Sequence, residues 1–183
     1  MTEPLLKQAF ETDRLRAAAA AGLATIDEPP TEMTPIHRGN RKQTAIARFD
    51  GREPVIVQVC DTQLWLRTEA ALLEAIRHRT FVPVPPVLVA GSHGDVAYML
   101  TGYVAGKDLH KKFTTLGFGS RCRLARWFGR ALARLHEAFS FDGYGQLRLS
   151  DGTFTAQTTS WEAWFRDYAT HAVDRLPTAF DPV

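Results

Sequence analysis

The sequence predicts an α+β fold, because strand-like alternation and helix-like periodicity both recur along it. Apolar and polar residues alternate on either side of Asp50 and Gly51, and two such segments around an Asp-Gly turn are typical of a β-hairpin. Apolar residues at spacings of three and four predict amphipathic helices at 64–77 and 120–139. With 183 residues, 45% hydrophobic and 23% charged, the chain is long and apolar enough to bury a core.

The first half of the chain is predicted to contain one helix and three strands before the helix at 64–77. Leucines at helical spacing and an alanine run predict a single helix at 4–24, ending near Gly22. A short strand at 33–37 then leads, through a loop with one glycine, into hairpin strands at 44–49 and 55–59.

The second half continues with a turn, a long helix and a further hairpin. Strands at 87–90 and 96–100 flank a polar turn. After the helix at 120–139, residues 146–157 alternate around a second Asp-Gly pair and predict another hairpin. Thr159 with Glu162 three residues later is a capping box, which predicts a last helix that runs to Leu176.

Composition limits the classes of partner. The formal charge is +2, from 22 basic and 20 acidic side chains, too near balance for nucleic acid or a membrane surface as the main partner. No apolar run approaches the ~20 residues that a membrane span needs. Two cysteines, Cys60 and Cys122, make neither a disulfide framework nor a zinc set. We expect a soluble cytoplasmic protein.

Three segments, which follow one another along the chain in the order found in a known family, carry a resemblance to that family: 69–85, 98–106 and 131–136. Together the segments resemble the aminoglycoside phosphotransferase family, over about 36–176. That resemblance implies a protein-kinase-like fold with a small nucleotide lobe and a larger catalytic lobe. It also implies ATP as phosphoryl donor, magnesium, and a hydroxyl of a small molecule as acceptor.

A glycine loop between two strands is the first candidate element of a nucleotide site. Glycine lets backbone N–H groups approach phosphates closely. Gly39 and Asn40 lie between the strand at 33–37 and the hairpin, where the resemblance implies such a loop. Since only one glycine is present, an ordinary turn is the alternative.

The resemblance also implies an ion pair between a base on the third strand and a helical glutamate, which positions the nucleotide phosphates. Glu69 matches the glutamate, but Gln58 stands at the basic position and supplies no charge. Either a nearby base (Arg41, Lys42 or Arg67) substitutes, or ATP binding is weak.

The third candidate element is the connector after the strand at 96–100. The resemblance implies that backbone groups of this connector bind adenine, and the residues at those positions are Thr101, Gly102, Tyr103 and Val104. Recognition by backbone groups requires few particular side chains. The alternative is therefore that these residues are an ordinary edge strand that leads into a loop.

No catalytic base or metal ligand is predicted in this chain. The triplet His93, Gly94, Asp95 equals the family's catalytic signature, but it precedes the helix that ends in His136, whereas in the family it follows that helix. Five residues after Asp95 stands Leu100, where the family has a metal-binding asparagine. We interpret the triplet as a turn between strands.

The resulting domain prediction has three parts: an N-terminal helix and linker at 1–30, a nucleotide lobe at 31–104, and the start of a truncated second lobe at 105–183. We expect the N-terminal portion of an ATP-dependent phosphotransferase that is inactive alone, with magnesium bound only if the missing lobe is supplied. A non-catalytic nucleotide-binding or interaction module is the alternative.

The last helix is predicted to carry an apolar stripe. A second lobe would bury it, and without one, exposure would favour self-association. Its members are Trp161, Trp164, Phe165, Tyr168 and Leu176.

Overall fold

The computed structural model describes residues 2–36, 42–106 and 109–173, with the side chains of 110 and 111 excepted. Five strands form one antiparallel sheet in the order β1-β2-β3-β5-β4. These strands are β1 (Glu32–Ile36), β2 (Gln43–Arg48), β3 (Val55–Cys60), β4 (Val87–His93) and β5 (Val96–Gly102).

The described helices are α1 (Glu3–Ala9), α2 (Asp13–Leu23), α3 (Gln63–Arg79), α4 (Leu109–Lys112), α5 (Phe118–Ala138) and α6 (Trp161–Val173). A two-stranded sheet of β6 (Tyr144–Ser150) and β7 (Thr153–Thr158) precedes α6. The chain divides into two compact units, Met1–Phe139 and Ser140–Val183.

The prediction of one helix at 4–24 is wrong, since the structure has two helices with a break between them. Phe10 is extended and only 1% exposed, because its ring enters the core. Thr12 then caps α2 by accepting a hydrogen bond from the Leu15 amide at 3.3 Å. The Arg16 guanidinium donates to the carbonyls of Phe10 and Glu11, at 2.9 and 2.8 Å, and holds the break.

Helix α2 packs closely on one face of the large sheet. Ala18 and Ala19 are fully buried there. A Cβ at Gly22 would lie 2.7 Å from Leu100 Cδ1 and 2.8 Å from Tyr98 Cδ2, so only glycine permits this approach. The N-terminal helices therefore share a core with the strands of the predicted nucleotide lobe.

Helix α3 packs on the opposite face of the sheet. Leu66 and Ala70 are buried against Cys60, Ala97 and Met99. Strand alternation places odd-numbered residues of β2 and β3 toward α2 and even-numbered ones toward α3. The sheet thus has a helix on each face.

The two predicted hairpins of the first unit are confirmed. Strands β2 and β3 pair antiparallel, and the Glu28 carboxylate accepts from the amides of Asp50 and Gly51, at 3.0 and 2.8 Å, in their connecting turn. Strands β4 and β5 also pair, and their turn contains Gly94 with a φ of 60°.

The second unit confirms the hairpin at 146–157 and corrects the start of the last helix. Asp151 and Gly152 have φ values of 48° and 76°, as a two-residue turn with left-handed backbone requires. The predicted capping box is wrong, because Ser160, not Thr159, accepts the Ala163 amide hydrogen bond at 3.2 Å. Helix α6 is described to Val173, and Leu176 lies outside the described residues.

Within residues 2–36, 42–106 and 109–173, no helix combines the length and the apolar character that crossing a bilayer requires.

Candidate functional site

The sheet face toward α3 is only partly covered. On the α2 face, Ala45, Ala47 and Val57 are completely buried. On the α3 face, Ile46 and Ile56 lie opposite each other on β2 and β3 and are half-buried. This difference leaves an accessible apolar surface on β2 and β3, beside the helix.

An ion pair marks one end of this surface. The Lys42 ammonium, just before β2, contacts both carboxylate oxygens of Glu69 on α3, at 2.7 and 2.9 Å. The side chains of Lys42 and Glu69 are 30% and 32% exposed, so both are partly shielded yet reachable from solvent. Glu69 therefore has a cationic partner, Lys42, which is one of the three bases that the sequence offered as substitutes and which lies just before β2.

Gln58 lies on the same face, in the middle of the sheet. Its neighbours across the strands are Thr44 on β2 and Met99 on β5, and it is half-buried. Among the three bases named as possible substitutes, Arg67 is exposed and Arg41 lies outside the described residues. Strand alternation could have singled out Lys42, since positions 42, 44 and 46 share one face.

Backbone hydrogen bonds hold the end of β5 and the connector that follows it; Thr101 and Gly102, which were predicted to lie in the connector, are the last two residues of β5. The Gly102 amide donates to the Pro86 carbonyl at 2.9 Å, and the Tyr103 amide donates to the Pro54 carbonyl at 3.2 Å. A Cβ at Gly102 would lie 2.9 Å from Pro86 Cγ, which explains the glycine. Both amides are thus engaged within the protein.

The other two residues of the predicted connector, Thr101 at the end of β5 and Val104 after it, differ sharply in exposure. Thr101 is 4% exposed and pairs with Ile56 across the sheet, next to the apolar surface. Val104 is 67% exposed. The connector therefore passes from the sheet into solvent within a few residues. The loop positions Gly39 and Asn40 lie outside the described residues.

Gly94 and Asp95 form the β4–β5 turn and His93 is the last residue of β4, which confirms that the triplet lies at the turn between two strands. Asp95 is bound by Arg14 of α2, whose Nε donates to Asp95 Oδ1 at 3.2 Å and whose Nη2 contacts Oδ2. In the described part of the chain, no group of three or more His, Cys, Asp or Glu side chains could hold a metal ion.

Comparison with known proteins agrees with this arrangement of sheet, helix and connector. A sequence model of the phosphotransferase enzyme family (APH) matches residues 32–179. The chain belongs to this family. The segment that matches the phosphotransferase family model begins at β1 and includes Lys42, Glu69 and the connector. No curated protein sequence matches the chain significantly.

Solved structures show that this phosphotransferase family member has a kinase-like α+β fold. It is similar to a thermostable mutant of aminoglycoside phosphotransferase APH(4)-Ia in ternary complex with AMP-PNP and hygromycin B (TM-score 0.61, 13% identity, 89% of this chain and 54% of that one). It is also similar to APH(4)-Ia itself (TM-score 0.60, 15% identity, 89% and 55%).

A third similar structure is that of the "putative fructosamine-3-kinase" from Haemophilus somnus 129PT (TM-score 0.51, 16% identity, 88% of this chain and 52% of that one). The chain therefore spans about half the length of the solved structures that it matches.

Proposed function

We propose that this chain is the nucleotide-binding, N-terminal portion of an ATP-dependent phosphotransferase that acts on a hydroxyl of a small molecule. The observation that carries the proposal is the Lys42–Glu69 ion pair at the end of a half-covered apolar face of the sheet. A cation beside an apolar surface suits a ligand with a flat base and a charged phosphate chain.

In this proposal the adenine ring lies against Ile46 and Ile56 and reaches the connector from Thr101 to Val104. The amides of Gly102 and Tyr103 are bonded to Pro86 and Pro54. Backbone recognition of adenine is therefore assigned to the Val104 amide and to carbonyl groups of the connector. The loop with Gly39 and Asn40 would cover the phosphates, as glycine loops do.

We assign to Gln58 a neutral hydrogen bond with the nucleotide phosphates rather than a charged contact. Sequence reasoning left two alternatives, a substitute base or weak ATP binding. The ion pair of Lys42 with Glu69 supports the substitute base, because the glutamate already holds a cation at hydrogen-bonding distance.

The proposed reaction moves the γ-phosphoryl group of ATP to an acceptor hydroxyl, whose proton passes to a base. In this reaction class, positioning and electrostatic stabilisation supply most of the rate. We assign residues 1–30 to an N-terminal helical segment and linker, 31–104 to a nucleotide-binding lobe, and 105–183 to the start of a second lobe. The base and the magnesium ligands belong to the catalytic segment, so residues 1–183 alone are proposed to be inactive. A cytoplasmic location is part of the same proposal.

The second candidate is a non-catalytic nucleotide-binding module. It is favoured by the Arg14–Asp95 pair, since Asp95, part of the His-Gly-Asp triplet, is engaged away from the Lys42–Glu69 pair. Both candidates share the nucleotide site. Supplying a polypeptide with the family's His-Gly-Asp segment discriminates between them, because only the first candidate then gains phosphoryl transfer.

Calorimetric titration of the chain with ATP and with adenosine tests the nucleotide site. We expect saturable binding of both ligands, with tighter binding of ATP because of its phosphates. Ile56→Glu, which places a carboxylate on the apolar face, should weaken both. Glu53→Gln, in the exposed β2–β3 loop, is the control and should change neither. Absence of saturable binding to either ligand would contradict the proposal.

A further inference from the structure

We infer that Lys42, the residue just before β2, is the cation that contacts the nucleotide phosphates, in place of a basic residue on β3. This inference rests on the proposed nucleotide site and names a residue that acts in it. It assigns the phosphate contact to a different strand from the one that the family resemblance implies, where Gln58 stands.

The geometry of the pair is that of a positioned lysine. Nζ of Lys42 contacts both Glu69 oxygens, at 2.7 and 2.9 Å, across 27 positions of sequence. A lysine ammonium has three N–H donors, so two bonds to a carboxylate leave a donor for a phosphate oxygen. Partial exposure of both side chains leaves room for that ligand.

The position of Lys42 in the chain also favours a contact with the phosphates of the ligand rather than with its nucleobase. Lys42 lies before β2, at the end of the strand away from Ile46, whereas Thr44 and Ile46 follow along β2, and Ile46 belongs to the apolar surface. A ligand with its base near Thr101 and Ile56 would therefore extend its phosphates toward Lys42. Gln58 lies between these two ends, opposite Thr44.

A purely structural ion pair is the rival explanation. Partly exposed pairs contribute about 0–1 kcal/mol to stability and need no ligand. The two explanations differ in one measurable quantity, the ratio of ATP affinity to adenosine affinity, because adenosine has the same base and sugar but no phosphate.

Calorimetry on Lys42→Gln measures this ratio. We expect ATP affinity to fall by about tenfold or more, the scale of one charged hydrogen bond, and adenosine affinity to stay within about twofold. Arg77→Gln is the control for loss of one positive charge: Arg77 lies on the same helix as Glu69, in an exposed pair with Glu74. It should leave both affinities unchanged.

A second variant moves the charge back to β3. Since Gln58 faces the same side of the sheet, Lys42→Gln combined with Gln58→Lys should recover most of the lost ATP affinity. Gln58→Lys alone should tighten ATP binding less than it does in the Lys42→Gln background, because a cation is already present. Thermal unfolding of each variant shows whether the fold is retained.

The outcomes separate the two proposals. If the unmodified chain binds neither ATP nor adenosine, the nucleotide site itself is wrong. If it binds both, but Lys42→Gln leaves their ratio unchanged or weakens both equally, the nucleotide site stands and the role of Lys42 is overturned. Selective loss of ATP affinity with recovery in the double variant supports the inference.

Discussion

The guanidinium of Arg14 on α2 binds the carboxylate of Asp95 at the β4–β5 turn, with one nitrogen on each oxygen. The pair joins residues 81 positions apart and fastens the second helix to the tip of a hairpin. Both side chains are largely exposed, at 60% and 70%. Asp95 therefore has a structural partner on the first unit, and its place after His93 and Gly94 is explained by the turn.

The first prediction concerns this aspartate. Asp95→Ala should lower the free energy of unfolding by about 0.2–1 kcal/mol, the usual range for an exposed ion pair. Arg14→Ala should have a similar effect, and the double variant should lose less stability than the sum of the two single variants, which urea unfolding measures.

ATP turnover with small hydroxyl acceptors should stay at the no-enzyme baseline for the chain and for each variant. Turnover by the chain that disappears in Asp95→Ala would show that the triplet is catalytic.

The second prediction compares two helical glycines. Gly22→Ala should destabilise the protein by about 1–3 kcal/mol, because the new methyl group would meet Leu100 and Tyr98. Gly129→Ala on α5 has open space around its Cβ and should stabilise by about 0.5–1 kcal/mol through helix propensity. Chemical denaturation measures both changes, and equal effects at the two sites would contradict the close packing of α2 on the sheet.

The third prediction tests the connector. Gly102→Ala should push the connector away from Pro86, whose Cγ would be 2.9 Å from the new Cβ. We expect adenosine affinity to fall about fivefold, equivalent to roughly 1 kcal/mol. Gly106→Ala, where a Cβ would meet nothing within 4 Å, should leave it unchanged. Unaltered adenosine binding in Gly102→Ala would argue that the base binds elsewhere.

The fourth prediction concerns the apolar face of α6. Trp161, Phe165 and Tyr168 are 53%, 52% and 61% exposed. Trp161 and Phe165 line a concavity of about 600 Å³ along the helix, which Val173 also lines. Because exposed apolar patches favour association, we expect the chain to self-associate.

Light scattering and binding of a hydrophobic dye measure this association. Phe165→Glu should restore a monomer and reduce dye binding, since its ring is half exposed. Trp164→Glu is a less suitable variant, because Trp164 packs over Gly145 and its loss should also unfold the second unit. A monodisperse, dye-free chain without any substitution would refute the prediction.

Local features of the sequence were sufficient for the fold class. Alternation and Asp-Gly turns predicted the β2–β3 and β6–β7 hairpins, and the spacing of leucines predicted α3 and α5. These features are readable because backbone periodicity and turn geometry depend on residues close in sequence. The same local signals misplaced the cap of α6 at Thr159, since two adjacent residues can each cap a helix.

Only the tertiary structure decided where the N-terminal helix breaks and which base meets Glu69. Phe10 leaves the helix because its ring is buried against the sheet, a contact absent from the local sequence. Lys42 reaches Glu69 because β2, β3 and α3 bring together residues 27 positions apart. The sequence alone showed that β3 carries Gln58, which has no charge, at the position where the family resemblance implies a basic partner for Glu69. Which strand supplied it depended on the packing of α3 against the sheet, because long-range contacts arise from topology rather than from local propensity.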